Sequence, residues 1–327
     1  MRLAFIGGFG HHYLRAAVTD PSCDIDSPIA VSGDGHDAQS AAALAHSLPG
    51  AKWYADPVEM MDHFLPHAVS VGSVYGFNSD LVAMALERNI PVVTDKPMAA
   101  TWEQFSRLQQ LTRDLRRVVA TEYDFRCKSE FVAAKSAVAD GLIGDVALAV
   151  AQKSYRFNTR PAWYSDRRSY SGTLMWNASH GIDVIPFATG RRFKKVTGIQ
   201  GNLSQPKLGS FEDHVVALFQ LDNGGSAVVH ADFLRPAKAD SHGDDRLRLI
   251  GSKGQIEVRA GRCLLITHDR AEQDITDRGQ CKPLHVELLA ALAGQSEKYG
   301  TASSMEIAEI MLKSRDALDS GKFVDLL

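Results

Sequence analysis

The chain has 327 residues, 45% of them hydrophobic, and its 36 lysines and arginines against 39 acidic residues give a formal net charge of −3. That length supports one or two domains with a sizeable core, and the balanced charge gives no basic footprint for a nucleic-acid partner. No apolar run approaches the length of a membrane span, and the first residues lack the apolar segment and cleavage site of a signal peptide.

Cysteine and histidine spacing argues against a disulfide framework or a metal centre. The four cysteines are widely spaced without a CxxC pair, and the twelve histidines show no HExxH or similar spacing. Adjacent residues on a helix point in different directions, so His11 and His12 do not suggest a shared metal. We therefore expect reduced thiols, no metal, no membrane partner and a cytoplasmic protein.

The first 121 residues alternate short apolar runs with helical patterns. Strands are predicted at 2–6, 28–32, 68–72, 90–94 and 117–121, and helices at 11–19, 37–47, 57–63, 79–88 and 102–114. Such alternation with short turns predicts an α/β fold with a doubly wound parallel sheet. In that architecture, ligands bind at the carboxyl ends of the strands.

The first predicted strand runs directly into a glycine-rich turn, Gly7-Gly-Phe-Gly10. Glycines there let the backbone approach a pyrophosphate, and the amino terminus of the following helix favours its negative charge. Tyr13 stands where a third glycine is expected, so an ordinary tight turn is the competing interpretation. Asp34 ends the second strand, about 20 residues after the glycines, where an acid suits the ribose hydroxyls of NAD. A loop or helix-cap role for Asp34 is equally open.

Ile90 to Pro97 reads Ile-Pro-Val-Val-Thr-Asp-Lys-Pro, which places Lys96 at the carboxyl end of a buried strand. A lysine there can bind a phosphate or hydroxyl, or transfer a proton. The segment from Ser73 to Asn78 closes the 68–72 strand and should lie at the same edge, where Asn78 is better suited to capping its helix than to contacting a ligand. The predicted cofactor-binding residues are Gly7, Gly8, Phe9, Gly10, His11, His12, Asp34, Ser73, Tyr75, Asn78, Asp95, Lys96 and Pro97.

After Thr121 the pattern changes to an α+β arrangement. Turn signals at 222–225 and 251–254 suit hairpins between alternating runs, which predicts a mostly antiparallel open sheet. Helices are expected near 129–140, 172–188 and 302–319, and strands at 146–154, 195–203, 213–221, 225–233, 245–250, 254–258 and 262–266. We therefore predict two domains, 1–121 and 122–327, and leave open that the final helix 302–319 packs back on the first.

His180 and Asp183 lie three residues apart in the segment Gly172 to Asp183, so they share one helix face. A histidine of near-neutral pKa is the usual proton-transfer group, and a nearby carboxylate can orient it. A core histidine beside a surface acid is the alternative. Residues predicted to contact substrate are polar or aromatic: Arg126, Tyr155, Arg156, Asn158, Arg160, Trp163, Tyr164, Trp176, Asn177 and His180. Loop structure or core packing could explain any one of them, and a structural ion pair could explain Arg126.

These motifs, in this order and spacing, resemble the Gfo/Idh/MocA family, the glucose–fructose oxidoreductase and inositol dehydrogenase-like proteins. The resemblance covers almost the whole length. The matching segments are the glycine turn, Asp95-Lys96-Pro97 in place of the family's Glu-Lys-Pro, Gly141-Leu-Ile-Gly144, His180-Gly-Ile-Asp183, and the stretch from Asp244-Asp-Arg-Leu to Gly251-Ser-Lys-Gly254.

The resemblance implies an NAD(P)-binding Rossmann domain followed by a substrate-binding domain whose open sheet often forms homodimers or homotetramers. It implies NAD, with NADP possible, and a sugar, polyol or related substrate. In such enzymes the lysine matching Lys96 contacts substrate and nicotinamide ribose, while the histidine matching His180 acts on the reacting hydroxyl. We predict Asp183 as a third catalytic residue, beside Lys96 and His180.

Three positions depart from the family pattern. Trp176 stands where many members have an aspartate four residues before the histidine, Trp163-Tyr164 replaces a frequent Trp-Arg pair, and Asn78 replaces a common histidine. The leading hypothesis is an NAD(P)-dependent dehydrogenase. The alternatives are an enzyme that cleaves glycosides through transient NAD-dependent oxidation, and a non-catalytic sugar or NAD sensor. Retention of both Lys96 and His180 argues against the sensor.

Overall fold

The computed structural model describes residues 1–36, 38–115 and 117–327. These residues divide into two compact units that each combine several chain segments. Unit 1 consists of Met1–Glu122, Arg168–Ser171 and Pro283–Glu309, and unit 2 consists of Tyr123–Arg167, Gly172–Lys282 and Ile310–Leu327.

Unit 1 contains a six-stranded sheet in which every neighbouring pair is parallel, with the order β3-β2-β1-β4-β5-β6. Its strands are β1 Leu3–Ile6, β2 Ala30–Ser32, β3 Lys52–Tyr54, β4 Ala68–Val71, β5 Val92–Thr94 and β6 Val119–Thr121. Between them lie α1 Ala38–Ser47, α2 Pro57–Phe64, α3 Asn78–Glu87 and α4 Trp102–Leu115. The strand order reverses beside β1, where doubly wound sheets bind ligands.

The five strands other than β3 are short, apolar and buried on both faces. β3 is an exposed edge strand. Helix α2 shows how local sequence fixes a boundary. Asp56 accepts a hydrogen bond from the Glu59 amide at 2.8 Å, and Pro57 takes the first helical position, where a missing amide hydrogen costs nothing.

Unit 2 contains a nine-stranded sheet with the order β14-β13-β12-β11-β7-β10-β9-β8-β15. The pair β7–β10 is parallel and every other neighbouring pair is antiparallel. The strands are β7 Val146–Tyr155, β8 Phe193–Gly201, β9 His214–Leu221, β10 Ser226–Asp232, β11 Gly243–Gly251, β12 Gly254–Arg259, β13 Arg262–Thr267, β14 Gln273–Asp274 and β15 Val324–Asp325. The remaining helices are α5 Ser129–Ala139, α6 Arg167–Tyr170, α7 Ser179–Thr189, α8 Leu284–Leu292 and α9 Thr301–Ser320.

Helices α5 and α7 cover one face of the unit 2 sheet and contact each other. Gly181 permits the close approach of α7, because a Cβ atom at this position would lie 2.5 Å from Val229 Cγ1. On the other face, large apolar side chains of β8 and β9 remain exposed: Ile199, Val216 and Leu218. One face of this sheet therefore builds the core of unit 2, and the other presents an apolar surface.

The predicted fold class, a parallel doubly wound sheet plus a mostly antiparallel second sheet, is confirmed. Several elements differ from the prediction. The helix predicted at 11–19 is a six-residue 3-10 helix, Tyr13–Val18, and the helix predicted at 172–188 begins as a π-helical turn, Leu174–Ala178. The first residue of the helix predicted at 37–47 lies outside the described residues. The sequence analysis did not predict β3, β14, β15, α6 or α8.

None of the helices that the structure describes is both long enough and apolar enough to cross a bilayer.

Candidate active site

The glycine turn of unit 1 packs tightly against neighbouring backbone. A Cβ atom on Gly8 would lie 2.2 Å from the carbonyl carbon of Ser40 in α1, and one on Gly7, which has φ +82°, would lie 2.6 Å from the Gly72 oxygen. The amides of Phe9 and Gly10 both donate to that same Gly72 oxygen, each at 3.0 Å. Glycine is therefore required by the packing of the turn, independently of any ligand.

His12 lies beneath the turn in the core of unit 1. It is 3% exposed, and its ring nitrogens lie 2.8 Å from Ser70 Oγ and 3.1 Å from the Gly7 carbonyl oxygen. Burial, which outweighs the bond to Gly7, lowers the pKa of His12 to about 4. Both ring nitrogens support the turn, which accounts for His12 without a ligand; a cofactor contact by His12 stays a prediction.

The ends of β2 and β4 are joined by side-chain hydrogen bonds. The Ser73 hydroxyl donates to Asp34, whose other carboxylate oxygen accepts from the His36 amide at 2.8 Å. Asn78 does not cap its own helix; it accepts from the Ser73 amide at 2.9 Å and donates to the Asp95 carbonyl at 3.3 Å. Asn78 thus links the loops after β4 and β5.

Asp95 and Lys96 form a buried ion pair at the end of β5. Both side chains are fully buried, and Lys96 Nζ lies 2.8 Å from Asp95 Oδ1 and 3.3 Å from His11 Nδ1. The second Asp95 oxygen accepts from the His11 amide at 3.1 Å. Burial raises the pKa of Asp95, but the charges of Lys96 and His11 outweigh it and leave the carboxyl well below its usual range. Asp95 therefore holds Lys96 next to the glycine turn.

The residues at this edge fit a dinucleotide at two points. Asp34 has the carboxylate that ribose hydroxyls require, and Ser73 and Lys96 follow the strands two and three positions away from β2 in the sheet. The pyrophosphate part of the expected site fits less well, since the Phe9 and Gly10 amides are already bonded. Moreover, the first helix is a short 3-10 helix whose Tyr13 amide donates to the buried carboxylate of Glu122 at 3.0 Å.

Two other predicted cofactor residues are buried in unit 1. The Tyr75 ring lies 6.3 Å from the Tyr170 ring, and Pro97 directly follows Lys96 in a buried segment. Ring packing thus accounts for Tyr75 without a ligand.

In unit 2, the carboxylate that faces His180 belongs to Asp124. His180 Nδ1 lies 2.9 Å from Asp124 Oδ1, with the two side chains 3% and 13% exposed. Burial raises the pKa of Asp124, but the charges of His180, Lys153 and Lys128 hold it well below its usual range. Asp124 is therefore an anion that can orient the imidazole and stabilise its protonated form.

Two lysines and a second aspartate extend this dyad. Lys128 Nζ lies 2.9 Å from Asp124 and 3.0 Å from Asp245, and Lys153 Nζ lies 2.9 Å from Asp245. Lys153 and Asp245 are directly opposite each other in the β7–β11 pair. Both lysine ammoniums also lie over the Phe125 ring, at 4.6 and 4.5 Å. The result is a partly buried cluster of alternating charges around His180.

Asp183, predicted to be a possible partner of His180, instead pairs with Arg126. The Arg126 guanidinium donates to both Asp183 oxygens, through Nε at 2.9 and 3.0 Å and through a further contact from Nη2. Both residues are buried. The bidentate geometry explains why Asp183 turns towards Arg126. It also shows that Arg126 forms a structural ion pair, which was one of the two interpretations of Arg126 in the sequence analysis.

The predicted substrate residues divide by burial. Tyr155 and Trp163 are half-buried, whereas Tyr164, Trp176 and Asn177 are buried. Trp176 stacks on Phe233 with centroids 6.1 Å apart, and Asn177 donates to the Lys153 and Asp232 carbonyls at 3.3 Å each. Core packing therefore accounts for Trp176 and Asn177, and partial exposure leaves Tyr155 and Trp163 available to a ligand.

The remaining predicted substrate residues belong to the loop after β7. Arg160 lies over the Phe233 and Tyr164 rings at 4.8 and 5.5 Å, Arg156 is half-buried, and Asn158 is exposed.

Sequence reasoning missed Asp124, Lys153 and Asp245. A signal was present for two of them, because strand alternation places Lys153 on the face shared with Ala149 and Ala151, and Asp245 on the face shared with Leu247. A charge at an inward strand position requires a partner. Asp124 lies in a 3-10 turn, where no periodicity marks it.

The parallel sheet, the glycine turn and the acid after β2 together define an NAD-binding Rossmann oxidoreductase. A model of the oxidoreductase family with an NAD-binding Rossmann fold matches residues 1–123, and the Gfo/Idh/MocA C-terminal domain model matches residues 131–257. The chain therefore belongs to the Gfo/Idh/MocA family.

Individual relatives are distant. D-glucoside 3-dehydrogenase of Escherichia coli (strain K12) is 26% identical over 210 residues, which make up 59% of this chain and 59% of that protein. Inositol 2-dehydrogenase of Arthrobacter sp. (strain FB24) is 24% identical over 232 residues, or 69% of this chain and 67% of that one. A solved structure from Thermotoga maritima is 26% identical with a TM-score of 0.91, covering 99% of this chain and all of the other. The alignment with D-glucoside 3-dehydrogenase covers less than two thirds of that protein's length.

The buried His12 predicts a pH-dependent loss of stability. Its folded pKa of about 4 lies below the unfolded value of 6.5, so the unfolded chain binds more protons between these values. The contribution is complete above pH 6.5 and is lost as pH falls towards 4, by roughly 3 kcal/mol. Urea unfolding of His12→Asn at pH 7 and pH 5 should show a smaller pH difference than wild type.

His46→Asn is the control for this experiment, since His46 is exposed on α1, and it should keep the wild-type pH difference. Equal differences in all three proteins would remove His12 as the source.

Proposed function

We propose that the protein is an NAD-dependent dehydrogenase that acts on a secondary alcohol of a sugar, polyol or sugar derivative. Family membership supports the redox class, and the named activities of the glucoside and inositol dehydrogenase relatives support the substrate class. The observation that carries the proposal within this chain is the buried His180–Asp124 dyad, at 2.9 Å. A histidine held by an ionised carboxylate is a competent general base.

In the proposed reaction each polar group has one task. A bound NAD would supply the hydride acceptor for the carbon that carries the reacting hydroxyl. His180 accepts the proton of the same hydroxyl, and Asp124 offsets the positive charge that then forms on the imidazole. Lys96 stabilises the developing alkoxide by its positive charge, which acts more strongly where water is excluded. Asp95 keeps Lys96 at the end of β5.

We further propose that the exposed face of the unit 2 sheet mediates homodimers or homotetramers. Its side chains Ile199, Val216 and Leu218 are 74%, 43% and 41% exposed, and apolar surface of this kind favours association. Free cysteines among the described residues agree with a cytoplasmic protein.

The direct test is a panel of sugars, polyols and glycosides with NAD and NADP, followed at the nicotinamide absorbance. We expect reduction of NAD with a member of the sugar or polyol group, and loss of turnover in Lys96→Ala with the fold retained. Cleavage of a glycoside without net NADH would support the eliminating alternative instead. Cofactor binding without either activity would support a sensor, and wild-type kinetics in Lys96→Ala would refute its role.

Asp124→Asn and Asp183→Asn should differ in their effect on turnover. We expect Asp124→Asn to lower kcat roughly 100-fold with little change in KM, since His180 loses its anionic partner. Asp183→Asn should act mainly on the free energy of unfolding, because it leaves Arg126 buried without an anion.

A double mutant resolves the pairing in this experiment. Adding Asp124→Asn to His180→Ala should cost little beyond the single change, since the two residues act as a unit. Additive losses would show that Asp124 does not act through His180.

Asp34→Ala tests the cofactor preference. Loss of a charged hydrogen bond to the ribose should weaken NAD binding by about tenfold and NADP binding much less. The ratio of the KM values for NAD and NADP measures this change. Asp24→Ala is the control, because it removes an exposed carboxylate of unit 1 that is not among the predicted cofactor-binding residues. An unchanged ratio in Asp34→Ala would exclude this residue from the ribose site.

A further inference from the structure

A tight turn after the first 3-10 helix brings an aspartate and a cysteine together. The Cys23 amide donates to the Asp20 carbonyl at 3.0 Å, which closes the turn Asp20-Pro-Ser-Cys23. One oxygen of the Asp20 side chain accepts from the Ser22 amide and hydroxyl at 2.9 and 2.7 Å. The other oxygen is directed to a third residue from the far end of the sequence.

That residue is His285, at the start of α8. His285 Nε2 lies 2.7 Å from Asp20 Oδ2, and the two side chains are 14% and 25% exposed. Cys23 is a free, half-buried thiol beside them. One possible metal-ligand atom from each of the three residues lies within 4.8 Å of the other two. Among the side chains that the structure describes, no other three Cys, His, Asp or Glu residues bring such atoms this close together.

We propose that Asp20, Cys23 and His285 form a binding site for a zinc-type divalent ion, with the fourth coordination position open to water. Thiolate, imidazole and carboxylate are the donors that Zn²⁺ takes, at about 2.0–2.3 Å. Tetrahedral donors are then about 3.3–3.8 Å apart. The separations here, 2.7 Å for the Asp20–His285 pair and at most 4.8 Å for the others, reach that geometry with shifts of about 1 Å.

The charges of the site suit a divalent cation. The Asp20 carboxylate is ionised at neutral pH. Binding removes the Cys23 proton and shifts the His285 proton away from Nε2, so a thiolate and a carboxylate neutralise the two positive charges. Because protons compete with the metal, affinity should fall as pH is lowered.

The position of the site indicates a structural effect. His285 belongs to α8, which packs on the first 3-10 helix, β5 and β6 within unit 1. A bound ion would fasten α8 to the turn at Asp20–Cys23, across a large separation in sequence, and so stabilise the folded state by mass action. This inference does not depend on the proposed dehydrogenase activity.

The test uses the full chain, stripped of metal and titrated with Zn²⁺ and Co²⁺. We expect one ion per chain, a rise in Tm with Zn²⁺, and a sulfur-to-cobalt charge-transfer band with Co²⁺. Cys23→Ser and His285→Gln should each weaken Zn²⁺ binding at least about tenfold, and Cys23→Ser should abolish the charge-transfer band.

Two variants serve as matched controls. Cys281→Ser removes an exposed thiol elsewhere, and Asp24→Asn removes an exposed acid beside the turn; both should bind like wild type. Mg²⁺, which prefers oxygen donors, should not raise Tm.

Binding by wild type no tighter than by Cys23→Ser, or a cobalt complex without the sulfur band, would overturn the site. The Asp20–His285 bond would then be a structural contact only. The cobalt spectrum of the wild-type protein needs no variant, so it still decides the question if Cys23→Ser fails to fold.

Discussion

A charge that leaves water must be met by an opposite charge, and this constraint organises the candidate catalytic residues. Removing one partner of a buried pair costs about 3–5 kcal/mol, because the other is left uncompensated. Lys96 is fully buried and sits on Asp95. His180 is 3% exposed and sits beside Asp124. In both cases one requirement fixes the proposed reactive group and the residue that holds it. The position that the proposed chemistry needs is therefore also one that stabilises the fold.

The same constraint explains which acid serves His180. Arg126 is buried, and the Nε and Nη2 groups of its planar guanidinium donate to the two carboxylate oxygens of Asp183. Asp183 is therefore committed, although helical spacing places it on the same face as His180. The position four residues before His180, where relatives of this type often carry an aspartate, holds Trp176, which packs on Phe233. Asp124 reaches the imidazole from a different element, and we propose that it takes the place of that acid.

Sequence patterns predicted the elements with a strong period and failed where the signal was weak. Five strands of the parallel sheet are apolar and buried, and each was predicted; β3 is a short, exposed edge strand and was missed. Helix α8, Leu284–Leu292, is apolar on almost every side, so it shows no helical face. At the candidate site, the motif residues on strand ends were recognised from local sequence. Asp124, Lys153 and Asp245 were not, because their importance comes from tertiary neighbours, and their roles and those of the motif residues remain predictions.

Charge balance around His180 favours the direction of proton transfer that the proposed reaction requires. Asp124 and Asp245 carry two negative charges, and Lys128 and Lys153 carry two positive ones. When the imidazole is neutral, the formal charges of the cluster therefore sum to zero. In this state His180 can accept a proton. The charge gained on protonation forms 2.9 Å from Asp124, while each lysine is also engaged by Asp245. Asp245 thus pairs with both lysines and leaves Asp124 available to the imidazole. Without Asp245, both ammonium groups would compete with His180 for Asp124.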